Sequence, residues 1–184
     1  MFTHIEKTTK FSSKESAVYL ICDAAKLKSY GFSAEEINYI KIQFSKNETK
    51  FFAFNRLTKW DFVQFIKKDD KEAESLETCR KAGDSLLSRI NGNKISKTGV
   101  FDVEDNPSNS LAFAEGMALG NYQFIKYKKN KDEKKSFNTL ETIYIVSKKI
   151  TEKSVSELNI LTEAVYKSRD LVNEPVAFLN AKKL

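Results

Sequence analysis

Three observations predict an α/β fold, a mixed sheet covered by helices on both faces. Short runs rich in β formers, such as 16–22 (S-A-V-Y-L-I-C) and 140–146 (L-E-T-I-Y-I-V), alternate with stretches whose apolar residues recur at three and four. Strands separated by helices argue for a sheet with helical crossovers. The 184 residues suffice for one well-buried core of this kind and are short for two.

The elements follow in order. Residues 1–7 are compatible with a strand. The apolar run 16–22 reads as a buried central strand, and 23–30 as a short turn or helix closed by Gly31. Ser33 and Glu36 have capping-box spacing, in which hydroxyl and carboxylate each satisfy an orphan N–H. Ile37, Ile40 and Phe44 then carry a helix to about residue 44. Residues 50–55 and 59–66 read as two strands of a hairpin turning at Arg56 and Leu57. Asp69 and Glu72 repeat the capping pattern before a helix with Leu76, Cys79, Ala82, Leu86 and Ile90 on one side, stopping at Gly92.

A strand at 99–103 and a turn at Asn106–Pro107 lead to a short helix over 111–119. Its Ala112, Ala114, Gly116 and Ala118 keep it slim, so Gly116 reads as a packing residue. Residues 122–127 (Y-Q-F-I-K-Y) fit a strand or a docked loop. The run 140–146 is the last strand. Ser154 with Glu157 is expected to cap a final helix whose Leu158, Leu161, Val165 and Val172 share a side. It should end before Pro175, because proline disfavours the α conformation at Glu174. No domain boundary is expected before about residue 150; the last helix and its tail read as a connector leaving the domain.

Composition narrows the function classes. Only 8 residues are Gly or Pro, leaving little material for phosphate-cradling loops. The net charge of +6 divides evenly, 16 bases and 13 acids in residues 1–92 against 15 and 12 in 93–184. With 4 Arg among 31 bases and Lys mixed with Glu and Asp, nucleic-acid binding is not expected. The run Lys126–Lys135 reads as a solvated loop. No apolar stretch reaches membrane length, and no leader pattern precedes one, so neither membrane insertion nor export is expected. Cys22 and Cys79 lie 57 positions apart, read as two reduced, buried thiols, and fit a cytoplasmic protein.

Motifs for chemistry are missing. There is no H-E-x-x-H, G-x-S-x-G, Walker loop or G-x-G-x-x-G. His4 is the one histidine and reads as a surface residue. Asp102, Glu104 and Asp105 follow a strand, and Asp23 ends another, but they fall short of the six or more oxygens that a hard cation normally takes. No catalytic, cofactor-binding or metal residue is expected.

Two stretches carry a resemblance. E-G-M-A-L-G-N-Y-Q-F-I-K-Y-K (115–128) resembles the signature near the end of the amino-terminal domain in the leucyl aminopeptidase family (peptidase family M17), through Gly116, Gly120, Tyr122, Phe124, Tyr127 and Lys128. A-V-Y-K-S-R-D-L-V-N-E-P (164–175) is similar to that family's helix linking two domains, which closes on Arg169, Asn173, Glu174 and Pro175. The departure is at 176–181 (V-A-F-L-N-A), where the family's usual second proline is absent.

The resemblance implies a macro-domain-like fold for residues 1–150, a connecting helix at 151–175, and the start of a catalytic domain at 176–184. It implies a parent that releases N-terminal amino acids from peptides with two divalent cations, zinc or manganese, in the carboxyl-terminal domain. This domain would then be non-catalytic, shaping oligomer contacts and active-site access in a homohexamer. Tyr122, Phe124 and Tyr127 would pack within it, whereas Arg169, Asn173 and Glu174 would touch the catalytic domain. An alternative implied by the same fold is a binding module for ADP-ribose or a related nucleotide.

Overall fold

The computed structural model describes residues 2–66, 72–127 and 137–175. Within them, strands β1 (His4–Thr8), β2 (Ala17–Ile21), β3 (Phe51–Asn55), β4 (Trp60–Phe65), β5 (Lys97–Asp102) and β6 (Thr142–Val146) form one sheet in the order β1-β6-β5-β2-β4-β3. Neighbours run parallel except in the β3–β4 hairpin. The helices are α1 (Ala34–Asn47), α2 (Glu72–Gly92), α3 (Pro107–Gly120) and α4 (Glu152–Asn173), with a 3-10 helix at Ala24–Tyr30. This is the mixed sheet with helices on both faces that the alternation of elements predicts.

Every residue of β2 is buried, because period-2 alternation sends its side chains into two different cores. Val18 and Leu20 join Phe62, Val100, Ile143 and Ile145 against α2, α3 and the start of α4. Tyr19 and Ile21 join Val63 and Phe65 against Leu27, Phe32 and Ile40. On that second face Phe11 covers Gly99, where a Cβ would sit 2.8 Å from the ring. Asp61 also points into this core and is 5% exposed. Arg56 Nε donates to its Oδ2 (2.9 Å), and the Lys59 ammonium lies 3.0 Å from its Oδ1 as an ion pair. The same guanidinium donates to Glu36 and lies between the rings of Phe32 and Phe54, at 5.3 and 5.4 Å, so it ties the hairpin turn to α1.

Local signals behave as local chemistry requires. Both arms of the Ser33–Glu36 capping box are made, and Gly31 closes the 3-10 helix at φ 86°. Several expectations need correction. α3 starts at Pro107 and not at 111, because Asn106 caps it and proline suits the first turn. α4 is capped by Thr151, whose hydroxyl accepts from Ser154 N–H, so Ser154 lies inside the helix. Its buried side is Val155, Thr162 and Tyr166, while Leu161 and Val172 are 48% and 85% exposed. Of the two forms expected for residues 122–127, strand or docked loop, the segment takes the second. Cys79 is buried but Cys22, at the end of β2, is exposed. Asp69 and the run 128–135 lie outside the described residues.

The outer edge of the sheet is closed by one amide. In β1 the N–H and C=O of Ile5 point away from β6. Asn159 of α4 takes both, its Oδ1 accepting at 3.0 Å and its Nδ2 donating at 2.7 Å. α4 therefore packs along β1 and α3 before its last turns extend past them.

Candidate functional site

The two stretches that carry the resemblance meet in space. α3 runs against α2 so closely that side chains are excluded at the crossing. A Cβ on Gly116 would lie 2.0 Å from the carbonyl oxygen of Arg80, and one on Gly83 would lie 2.2 Å from that of Phe113. Glycine at both positions lets the backbones touch. Arg80 Nε then bonds Glu115 (2.8 Å) across the same contact. Gly120, a turn later, faces the Asp84 side chain.

Immediately after α3, Asn121 is 4% exposed and organises the exit of the chain. Its Nδ2 donates to Thr3 Oγ1 and Leu140 O, both at 2.8 Å, and its Oδ1 accepts from Asn91 (3.0 Å). A buried amide with its valences satisfied rigidifies the junction of β1, α2 and the segment before β6. Sequence reasoning passed over Asn121, although it stands inside the quoted stretch between Gly120 and Tyr122.

Tyr122 follows, and here the second stretch arrives. Its ring meets Tyr166 edge-on at 5.0 Å, its hydroxyl donates to Asp170 Oδ1 (2.7 Å) and accepts from Asn173 Nδ2 (3.2 Å). Arg169 lies over the ring at 5.5 Å and donates to Leu119 O (2.6 Å), setting a cation at the C-terminal end of α3. Tyr166 OH donates to Ala118 O in the same turn. Tyr166 and Asp170 were also not singled out from the sequence, and both belong to the quoted stretch.

A few residues on, Lys126 pairs with Glu174 while Tyr127 OH donates to the other oxygen of that carboxylate. The hydrogen bond to Glu174 pushes the Tyr127 phenol above its ordinary range and holds Lys126 more firmly protonated. Burial, then the bond to Asp170, also raises the Tyr122 phenol, so both tyrosines stay neutral donors. Phe124, expected in the core, is half-buried beside Tyr127 (centroids 5.7 Å) and belongs to neither core cluster. Pro175 is exposed just beyond Glu174, and Lys128 lies outside the described residues. The outer side of α4 carries an open apolar groove of about 440 Å³ along Leu161, Ala164, Val165 and Val172, beside Arg169 and Asn173. What this arrangement can do is mechanical: fix the angle at which α4 leaves the sheet, with an apolar strip beside the exit.

Acids converge at a second place, the carboxyl ends of β2 and β5, where open α/β sheets usually bind ligands. There Glu104 accepts from the backbone N–H of Cys22 (3.1 Å) and Asp23 (3.4 Å) and pairs with Lys26. Burial pushes its carboxyl up, but the bonds from Lys26 and these N–H groups outweigh that and leave it below the usual range. Asp102 is raised by burial, against the bond from Ser110 (3.1 Å). A side chain of the protein thus occupies the donors that an anionic ligand would use. Among the described residues, no group of three His, Cys, Asp or Glu is placed to hold a metal ion.

The model of the cytosol aminopeptidase family, N-terminal domain, matches residues 34–131. Among curated relatives, a probable cytosol aminopeptidase of Aquifex aeolicus is 32% identical over 128 residues, 67% of this chain and 25% of the relative. One from Persephonella marina is 30% identical over 133 residues, 68% of this chain and 27% of the relative. The chain thus spans about a quarter of the length of the relatives it matches. A tomato leucine aminopeptidase mutant superimposes with TM-score 0.68 at 12% identity, covering 98% of this chain and 40% of that one. Leucyl aminopeptidase from Trypanosoma cruzi, in its apo structure, gives 0.59 at 14% identity, covering 98% and 39%. At such identities these two likenesses bear on the fold.

Proposed function

The chain belongs to the cytosol aminopeptidase family, as its N-terminal domain, and from that premise we propose a division of labour for the whole protein. Residues 1–150 form a non-catalytic macro-like domain, 151–175 a connecting helix, and 176–184 the start of a catalytic domain. The whole protein is a cytoplasmic exopeptidase that releases N-terminal amino acids from peptides, as the names of its relatives indicate. Its two divalent cations, zinc or manganese, belong to the C-terminal domain. Among the described residues of this chain, no three His, Cys, Asp or Glu side chains stand together to hold them. The N-terminal domain serves oligomer contacts in a homohexamer and access to the active sites.

One observation carries this reading: Tyr122, Lys126 and Tyr127 grip Asp170, Asn173 and Glu174, the residues at which α4 gives way to the next segment. Such a clamp is what an inter-domain lever requires, because a connector transmits orientation only if its exit is rigid. The nucleotide-binding alternative is disfavoured by Glu104, whose carboxylate already takes the N–H groups of Cys22 and Asp23 at the carboxyl end of β2. Incubating the 184-residue chain with leucine p-nitroanilide and manganese tests the proposal. No release of p-nitroaniline is expected; metal-dependent turnover would overturn it.

A further inference from the structure

Asn159 closes the β1 edge of the sheet, but the β3 edge is open. Arg56 N–H donates to Lys59 O (2.9 Å) and Phe65 N–H to Lys50 O (2.7 Å), so the even-numbered residues of β3 face β4. Phe51, Ala53 and Asn55 therefore turn their N–H and C=O outward from the outermost strand, and no described residue bonds to these groups. A row of this kind is a template for another strand.

Beside that edge, α1 carries a stripe that complements itself. Glu35, Tyr39, Ile42 and Lys46 follow one another at four, three and four residues along one exposed side of the helix. Tyr39 and Ile42 are 52% and 40% exposed. Tyr39 meets Phe52 edge-on (6.1 Å), which sets the stripe on the β3 side of the helix. Among the described residues, Glu35 is bonded only locally, to Ser33 and its own backbone, and Lys46 has no ion-pair partner. When a second α1 runs antiparallel to the first, Glu35 faces Lys46 of the second copy and Tyr39 faces its Ile42.

Strand and stripe share one centre. Glu36 meets Arg56 at one end of both, and Phe44 stacks on Phe65 (4.1 Å), opposite Lys50, at the other. Ala53 in the middle of β3 thus lies level with residues 39–42. A two-fold axis there also brings Lys50 opposite Arg56 of the second copy, a guanidinium already shared by Glu36 and Asp61.

We propose that this edge binds a second copy of the chain in an isologous contact, β3 adding antiparallel to β3 about Ala53 while Glu35 meets Lys46 across the axis. The contact goes beyond the division of labour above and needs no catalytic domain, so peptidase assays do not bear on it. Sedimentation equilibrium of the 184-residue chain is expected to show a reversible step from 21.1 kDa to twice that mass as concentration rises. E35K and K46E each set like charges across the axis and should weaken the dimer at least ~10-fold. An equimolar mixture of the two restores opposite charges at both contacts and should dimerise like the parent. A53P removes an outward N–H that the fold itself does not use, and should also weaken the dimer, with folding of every variant checked by circular dichroism. V172E on α4 should leave it intact. The mixture decides even where A53P fails to fold. A chain that stays monomeric up to its solubility limit, a dimer indifferent to E35K and K46E, a mixture that stays monomeric, or a dimer broken by V172E and not by A53P would overturn the proposal.

Discussion

Alanine at Gly116 would put a methyl group where the backbone of α2 already stands. Its Cβ would lie 2.0 Å from the carbonyl oxygen and 2.7 Å from the carbonyl carbon of Arg80, and neither atom can rotate away. To reach the 3.0 Å floor of real contacts, α2 and α3 must part by about 1 Å at their crossing. A gap of that size forfeits roughly a quarter to a half of each dispersion contact across it, around Cys79, Phe113 and Met117. Overpacking of this kind costs about 3 kcal/mol, of which the better helix propensity of alanine returns about 1. The net ~2 kcal/mol should lower Tm by about 4–8 °C in a chain of this size. Thermal melts followed by circular dichroism, with urea midpoints beside them, provide the assay. Two variants calibrate it. G92A meets nothing within 4 Å and should be neutral or slightly stabilising. G120A meets Asp84 Oδ1 at 1.9 Å and Leu87 Cδ1 at 2.7 Å, both ends of movable side chains, and should cost under ~1 kcal/mol. A G116A protein as stable as the parent, or less perturbed than G120A, would refute the backbone-contact argument.

Replacing Arg56 with Met should destabilise by about 3 kcal/mol at pH 7, since the buried Asp61 keeps only Lys59 as a charged partner. Burial raises the Glu36 carboxyl, but the bonds from Arg56 and Ser33 N–H outweigh it and hold it below its ordinary 4.5. A lowered folded value means stability that is present above pH 4.5 and lost as pH falls through that value. The gap in urea midpoint between parent and R56M should therefore narrow below pH 4.5, and a constant gap from pH 7 to 3 would count against the Glu36–Arg56 bond. For N159A, loss of both partners of Ile5 should cost about 2 kcal/mol and speed hydrogen exchange at the Ile5 amide at least ~10-fold. Unchanged exchange would show that water replaces the side chain at no cost.

Much of the fold was legible because its signals are local. Ser33 and Glu36 satisfy N–H groups within four residues of themselves, and the short hairpin loop brings 51–55 back along 60–65. The buried side of α4 was not legible. Its outer stripe of Leu161, Val165 and Val172 is the more apolar one, yet the sheet takes Thr162, whose hydroxyl bonds back to Leu158 O, and Tyr166, which reaches Ala118 O. Hydropathy sees the methyl groups and misses the partners. For a related reason the pattern of Tyr122 to Tyr127 left a strand and a docked loop equally open: its aromatic residues serve an aromatic and carboxylate cluster 44 to 51 residues downstream, and not a sheet.

Residue order alone determined the element types, the two-faced burial of 17–21, the glycine spacing of α3 and the family likeness of 115–128 and 164–175. These depend on neighbours within a turn or on a pattern carried whole in the chain. Tertiary structure alone decided that β1 and β6, 134 positions apart from Thr8 to Thr142, lie side by side, that Asn159 closes the sheet edge, and that Asp170, Asn173 and Glu174 are held by tyrosines and a lysine some 47 to 51 residues earlier. Such pairings repay the entropy of closing long loops only once the whole core condenses, so no short window of sequence contains them.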